Sequence, residues 1–286
     1  MKQFNNSTIE KATFEGLRAI KHFALDMDGT IYNGSTLFPF TNDFLNYLKA
    51  NGIGYSFLTN NPSKSTADYL KHLEKMGIPA TKEEMYTSAV ATINYIKNHH
   101  PAIKKLFILG TPSMVKEFED AGFISTADNA EDKPDALVVG FDTSLVYSRL
   151  CRAAYWASEK LPYFATNPDW VCPTDQPNIL VDCGAICACI EGATKRKPDV
   201  VIGKPDPGML DGIIQKYELQ PNEIAMVGDR IYTDVQMAKN AGALGVLVLS
   251  GEATTNDVAN STVKPDIVAQ NLAQLQQFIE HAKLIS

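Results

Sequence analysis

Phe23-Ala24-Leu25-Asp26-Met27-Asp28-Gly29-Thr30 decides the reading of this chain: an apolar run that ends on two carboxylates one residue apart, then a glycine. The run reads as a buried strand of a parallel α/β sheet, where ligands collect outside the carboxyl ends of the strands. Alternate residues of an extended chain point the same way, so Asp26 and Asp28 can address one ligand, and Gly29 permits the sharp exit that follows. Paired carboxylates of this kind coordinate a hard cation. They can also divide a reaction, one attacking phosphorus while the other moves a proton.

Working outward, three more apolar runs end on polar chemistry. Gly54 to Leu58 leads into Thr59-Asn60-Asn61-Pro62, before a helix expected from Ser63. A hydroxyl, two amides and the N–H groups of a helix start make an uncharged cradle for phosphate oxygens; ordinary helix capping is the alternative. Val200 to Ile202 leads into Gly203-Lys204-Pro205-Asp206-Pro207, where an ammonium fixed at a strand end would neutralise phosphate, a solvated surface lysine being the alternative, and Asp206 and Pro207 start the next helix. Ile224 to Val227 leads into Gly228-Asp229-Arg230-Ile231-Tyr232-Thr233-Asp234. Two more carboxylates arrive there, and magnesium needs only two or three protein oxygens beside a substrate phosphate. Asp234 reads equally as the cap of its helix or as a group orienting a ligand or Lys204.

Apolar runs alternate with amphipathic stretches along the chain, which predicts an α/β protein with a doubly wound parallel sheet. Further strands are expected at Leu106 to Leu109, Ala136 to Val139 and Leu244 to Leu249. Helices are expected at Thr41 to Ala50, Ser63 to Met76, Ser88 to Asn98, Ser113 to Ala121, Leu145 to Glu159, Ala185 to Thr194, Pro207 to Tyr217, Thr233 to Ala241 and Leu272 to Ala282. The acidic strand ends lie towards both ends of the chain, and the middle repeats the alternation without them. That pattern predicts a core of residues 1–79 and 193–286, with residues 80–192 as an inserted α/β domain.

With 286 residues and 45% hydrophobic content, two cores are affordable. Lys plus Arg number 26 against 33 acidic residues, a net charge of -7, which disfavours nucleic acid and anionic membrane as partners and favours a small substrate. No apolar run approaches the roughly 20 residues that span a bilayer, and the polar start MKQFNNSTIEKATFEGL lacks a signal-peptide core, so a cytoplasmic location is expected. Five cysteines argue for reduced thiols, and the Cys183, Cys187, Cys189 group reads as helix packing because nothing completes a zinc shell.

Taken in order, DMDGT at 26 to 30, Thr59, Lys204 and GDRIYTD at 228 to 234 resemble the four motifs of the haloacid dehalogenase superfamily of phosphohydrolases. The large segment between the threonine and lysine motifs is similar to the branch with a type C2 cap. DMDGTIYNG, FLTNNPSKS and GKPDPGML look like its para-nitrophenyl phosphatase and nucleotide monophosphatase members. The resemblance implies hydrolysis of a small phosphorylated metabolite with Mg2+. Asp26 would be nucleophile and Asp28 acid and base; Asp26 and Asp229 would ligate the metal by carboxylate and Asp28 by its carbonyl, with Asp234 in support. Thr59, Asn60, Asn61 and Lys204 would hold phosphate. It further implies a homodimer through the cap, and leaving-group contacts from Asn167, Asp169, Trp170, Asp182 and Cys183.

A phosphotransferase or phosphomutase would use the same nucleophile, and a phosphometabolite-binding regulator would have discarded a carboxylate or the lysine, all of which are present. A nucleotide-dependent dehydrogenase fits the fold class but not the first strand, which no glycine-rich turn follows.

Overall fold

In the computed structural model, which describes residues 11–172, 174 and 177–284, the chain divides into two compact units. One comprises the chain up to Leu58 together with Ile213–Ser286, the other Thr59–Gly212, and the 80–192 segment proposed as an insertion lies within the second. Residues 1–10, the first part of the stretch read as lacking a signal core, lie outside the described residues.

The first unit is built on parallel strands lying side by side in the order Ile267–Ala269, Leu244–Val248, Ile224–Gly228, His22–Asp26 and Gly54–Thr59. Every residue of His22–Asp26 and of Ile224–Gly228 is buried, which is why both read as continuous apolar runs rather than as alternating ones. From His22–Asp26 the chain continues to Gly54–Thr59 on one side and later to Ile224–Gly228 on the other. The order therefore reverses between the two strands whose carboxyl ends carry Asp26 and Asp229, and such a reversal opens a crevice for ligand.

Helix Thr41–Ala50 matches its expected range and buries Thr41, Phe44, Leu45 and Leu48, the i, i+3, i+4, i+7 stripe of a surface helix. Phe44 meets Phe23 edge to face at 5.9 Å between ring centroids, and burying such a ring is worth about 1.5–3 kcal/mol. Leu272–Leu284 packs against this helix and against Lys11–Ala19, a helix the sequence reading did not foresee.

The second unit has its own parallel sheet, in the order Val200–Val201, Tyr163–Ala165, Ala136–Val139, Lys105–Leu109 and Ile124–Ser125. Alternate residues sort to opposite faces. Phe107, Leu109, Leu137, Val139, Tyr163 and Ala165 join helices Tyr147–Ser158 and Cys183–Thr194 in one core, where the Cys183 and Cys187 sulfurs lie 4.0 Å apart as free thiols. Leu106, Ile108, Ala136, Val138 and Phe164 join helices Ser88–His99 and Pro112–Asp120 in the other. The sheet is thus wound on both sides. No helix among the described residues is long and apolar enough to cross a membrane.

Candidate active site

In the first unit, Asp26, Asp229 and Asp234 bring carboxylate oxygens within 4.8 Å of one another, and all three are buried. Asp26 arrives as the last residue of its strand, Asp229 directly after Ile224–Gly228, and Asp234 within a π-helical turn, Ile231–Val235. That turn is a correction to the expected helix start at Thr233: the α-helix begins only at Gln236, so Asp234 is no helix cap and its carboxylate joins the other two. Asp28 lies just past the strand, exposed, with Oδ1 accepting the Gly34 N–H at 3.3 Å.

Three buried acidic groups repel, and burial first, then Asp26 and Asp234, pushes the Asp229 carboxyl up to about 7. The pocket is nonetheless held rigidly. Glu252 N–H donates to Asp229 Oδ2 at 2.6 Å, and Ala253 N–H to the Asp229 carbonyl at 3.1 Å. Arg230 N–H donates to Asp234 Oδ2 at 3.1 Å, and Ser250 Oγ ties the turn to the Gly29 carbonyl at 2.8 Å. A Cβ on Gly29 or Gly251 would collide with the Asp229 carboxylate, so both positions are glycine for closeness of approach.

Asp229 Oδ1 is buried with no hydrogen-bond partner among the described residues. An orphaned, buried carboxylate oxygen beside two other carboxylates is satisfied by a cation. The donors are all oxygen, without sulfur or imidazole, which suits a hard divalent ion such as magnesium. Among the described residues this is the group assembled to hold one.

In the second unit Asn60 is the hub of a separate polar network. Its Oδ1 accepts the Lys204 N–H at 2.7 Å while its Nδ2 donates to the Lys204 carbonyl and to Asp169 Oδ2, each at 3.0 Å. Its own carbonyl accepts from Ser88 Oγ and Asn167 Nδ2, both at 2.7 Å. Asn60 therefore braces Lys204, which is buried, and its amide is spent in doing so. Asn61 closes a local turn, accepting from Ser63 N–H at 2.9 Å, and Thr59 Oγ1 accepts from Asn61 N–H at 3.1 Å.

The expected cradle of helix-start N–H groups at Ser63 is absent. The helix is Thr66–Lys75, capped by Ser65 in a reciprocal box with Asp68, and Thr66 N–H is taken by Glu117 Oε2 at 2.6 Å. The remaining expected residues of this unit lie near one another: Asp169 N–H donates to Asn167 Oδ1 at 3.1 Å and Asp182 N–H to the Trp170 carbonyl at 3.0 Å. Asn167 and Trp170 line a cleft of about 200 Å³, and Trp170 is 65% exposed. Asp182 caps helix Cys183–Thr194 through the Cys183 N–H, and Cys183 is wholly inside the core. Missed entirely by the sequence reading was the turn Ser250-Gly251-Glu252, whose contact with Asp229 is made by the Glu252 backbone N–H, a group that every residue type except proline possesses.

Comparison with known proteins gives one answer from several directions. The family described as haloacid dehalogenase-like hydrolase matches residues 23–124, and a HAD-hydrolase-like family matches residues 201–275. The chain is 30% identical over 256 residues to a ribonucleotide monophosphatase, NagD, of Escherichia coli, covering 90% of this chain and 98% of that protein. Among solved structures it resembles a 4-nitrophenylphosphatase from Thermotoga maritima at 39% identity and a TM-score of 0.86, covering 92% of this chain and 98% of that one. A glycerol phosphate phosphatase from Mycobacterium tuberculosis in complex with magnesium is similar at 27% identity and a TM-score of 0.83, covering 91% and 78% respectively.

Proposed function

The chain belongs to the haloacid dehalogenase-like hydrolases, in the group with nucleotide and 4-nitrophenyl phosphatases, and from that premise we propose that Asp26 is the nucleophile of a magnesium-dependent phosphomonoesterase. The enzyme hydrolyses small phosphoric monoesters. The observation that carries the residue assignment is the convergence of buried Asp26, Asp229 and Asp234, with one oxygen of Asp229 left for a cation.

An Asp26 oxygen attacks phosphorus, forming an aspartyl phosphate as the bond to the leaving alcohol breaks; Asp28, exposed beside it, gives that alcohol a proton. Asp28 then takes a proton from water, whose oxygen attacks phosphorus, releases phosphate and restores Asp26. By the family's motif pattern Thr59 and Lys204 would bind the non-bridging oxygens, and within the second unit Asn60 holds the Lys204 backbone. Asp26, Asp229 and the Asp28 carbonyl, with Asp234 in support, would hold a divalent ion, which would supply positive charge to offset the acids and the phosphate. The need is large: two unit negative charges 4 Å apart repel by about 4 kcal/mol at an effective dielectric near 20.

The test is release of inorganic phosphate from a panel of nucleoside monophosphates, sugar phosphates and 4-nitrophenyl phosphate, with no acceptor added. Release that needs Mg2+ and vanishes in Asp26→Asn supports the proposal; undiminished release in that variant overturns it.

A further inference from the structure

We infer that the Arg230–Glu252 ion pair is a clasp that positions Asp229 and Asp234 for the cation, acting through the backbone of the same two residues; this rests on the cation site proposed above. The side chains meet with Arg230 Nε 2.8 Å from Glu252 Oε2, a close ion pair rather than an aligned hydrogen bond. Tyr232 Oη steadies the glutamate by donating to its Oε1 at 2.9 Å. What makes the pair more than surface charge is what its two backbones do. Arg230 N–H fixes Asp234 Oδ2 at 3.1 Å, and Glu252 N–H fixes Asp229 Oδ2 at 2.6 Å.

Arg230 opens the π-helical turn and Glu252 sits in the turn after Leu244–Val248, so the two donors belong to separate loops, and the Arg230–Glu252 contact joins those loops beside the Tyr232–Glu252 bond and the Ala253 N–H to Asp229 carbonyl bond. Carboxylates that repel swing apart unless each is restrained. Here each has one oxygen pinned by an N–H, and Asp229 Oδ1 remains directed to the pocket. Partners that orient a metal ligand in this way typically change metal affinity by about 10–100-fold when removed.

Charge alone predicts something different. A cationic Arg230 near the pocket repels a divalent ion and an anionic Glu252 attracts it, so on charge alone Arg230→Gln tightens Mg2+ binding and Glu252→Gln weakens it. The clasp requires both to weaken it, and the double variant to be no worse than either single, because the second substitution breaks nothing further.

The experiment is calorimetric titration of MgCl2 into metal-free protein without substrate, for the wild type, both singles and the double, with melting in EDTA as the control for folding. Each single is expected to raise the Mg2+ Kd about tenfold, and the double by the same factor. Unchanged or tighter binding by Arg230→Gln, or a double equal to the product of the singles, overturns the clasp. Should Arg230→Gln fail to melt cooperatively, Arg230→Lys keeps the charge but not the fit: weakened binding supports the clasp and wild-type binding overturns it. A wild type that takes up no Mg2+ overturns the cation site itself, and with it the clasp.

Discussion

The strands of the second unit's parallel sheet, numbered in chain order, lie side by side as fifth, fourth, third, first and second, and the strands of the first unit follow the same order. Each sheet therefore has a reversal beside its first strand, where the α/β scaffold opens a crevice. In the first unit that place holds Asp26, Asp229 and Asp234, with an orphaned oxygen. In the second it is stopped up. Met114 fills the space that side chains on Gly110 and Gly140 would take, and Arg149 donates to the Gly110 carbonyl at 3.2 Å and the Ile108 carbonyl at 2.6 Å. Asp142, the acidic residue nearest the end of that unit's third strand, faces the guanidinium at 3.8 Å. Topology offers a site; the side chains at the reversal decide whether it is used.

The widest separation between the units should come from removing an acid in each. Asp26→Asn should lower phosphate release on the order of 10⁴-fold or more while leaving the melting temperature near that of the wild type. Asp142→Asn should leave turnover per folded molecule alone. Comparable losses of kcat in the two would dissolve the contrast.

The next effect concerns pH. Asp229 has its carboxyl raised from 3.8 to about 7 in the folded chain, so between those values the folded state holds a proton that the unfolded state has lost. Metal-free protein therefore loses stability as pH rises from about 4 to 7, by up to about 4 kcal/mol. Melting in EDTA at pH 8 should show Asp229→Asn more stable than the wild type, and added Mg2+ should stabilise only the wild type.

The opposite end of the Asp26 strand shows the opposite sign. His22, buried against Ser56 and near Lys216, has its pKa lowered to about 4, chiefly by burial. The unfolded chain then binds the proton first, so stability is complete above about 6.5 and is lost as pH falls to 4, by roughly 3 kcal/mol. His22→Gln should flatten that acid limb in a pH series of melts; an unaltered limb would remove His22 as its source.

Smallest, and sharpest for the comparison, is one added methyl at each reversal. Gly140→Ala drives a Cβ to 2.5 Å from Met114 Sδ and should cost about 1–3 kcal/mol of stability, with kcat kept. Gly251→Ala drives one into the Asp229 carboxylate and should instead weaken Mg2+ binding, visible as a higher Mg2+ concentration for half-maximal activity. If both changed only the melting temperature, the first unit's reversal would be no more a site than the second's.

Much of this was legible in the residues. Asp26, Asp229 and Lys204 stand directly after apolar runs, so strand ends and their chemistry could be read together, and helix Thr41–Ala50 carries a clean apolar stripe. Strand Tyr163–Ala165 was not, because three residues buried on both faces leave no period to detect. Ser63 and Ser65 are both good helix caps, and what selects Ser65 is Asp68 three residues on, together with a glutamate from a distant helix. The bond of Asn60 to Lys204 was hidden for a similar reason: an amide suited to phosphate is equally suited to a lysine's backbone, and only the fold brings the two together.

One consequence follows from the unsatisfied oxygen of Asp229. A pocket whose acid titrates near neutrality is, before loading, partly a store of hydrogen ions. Filling it with Mg2+ at pH 7 should expel roughly half a proton per chain. Uptake would then acidify a weakly buffered solution, making a pH electrode a direct reporter of occupancy with no substrate present.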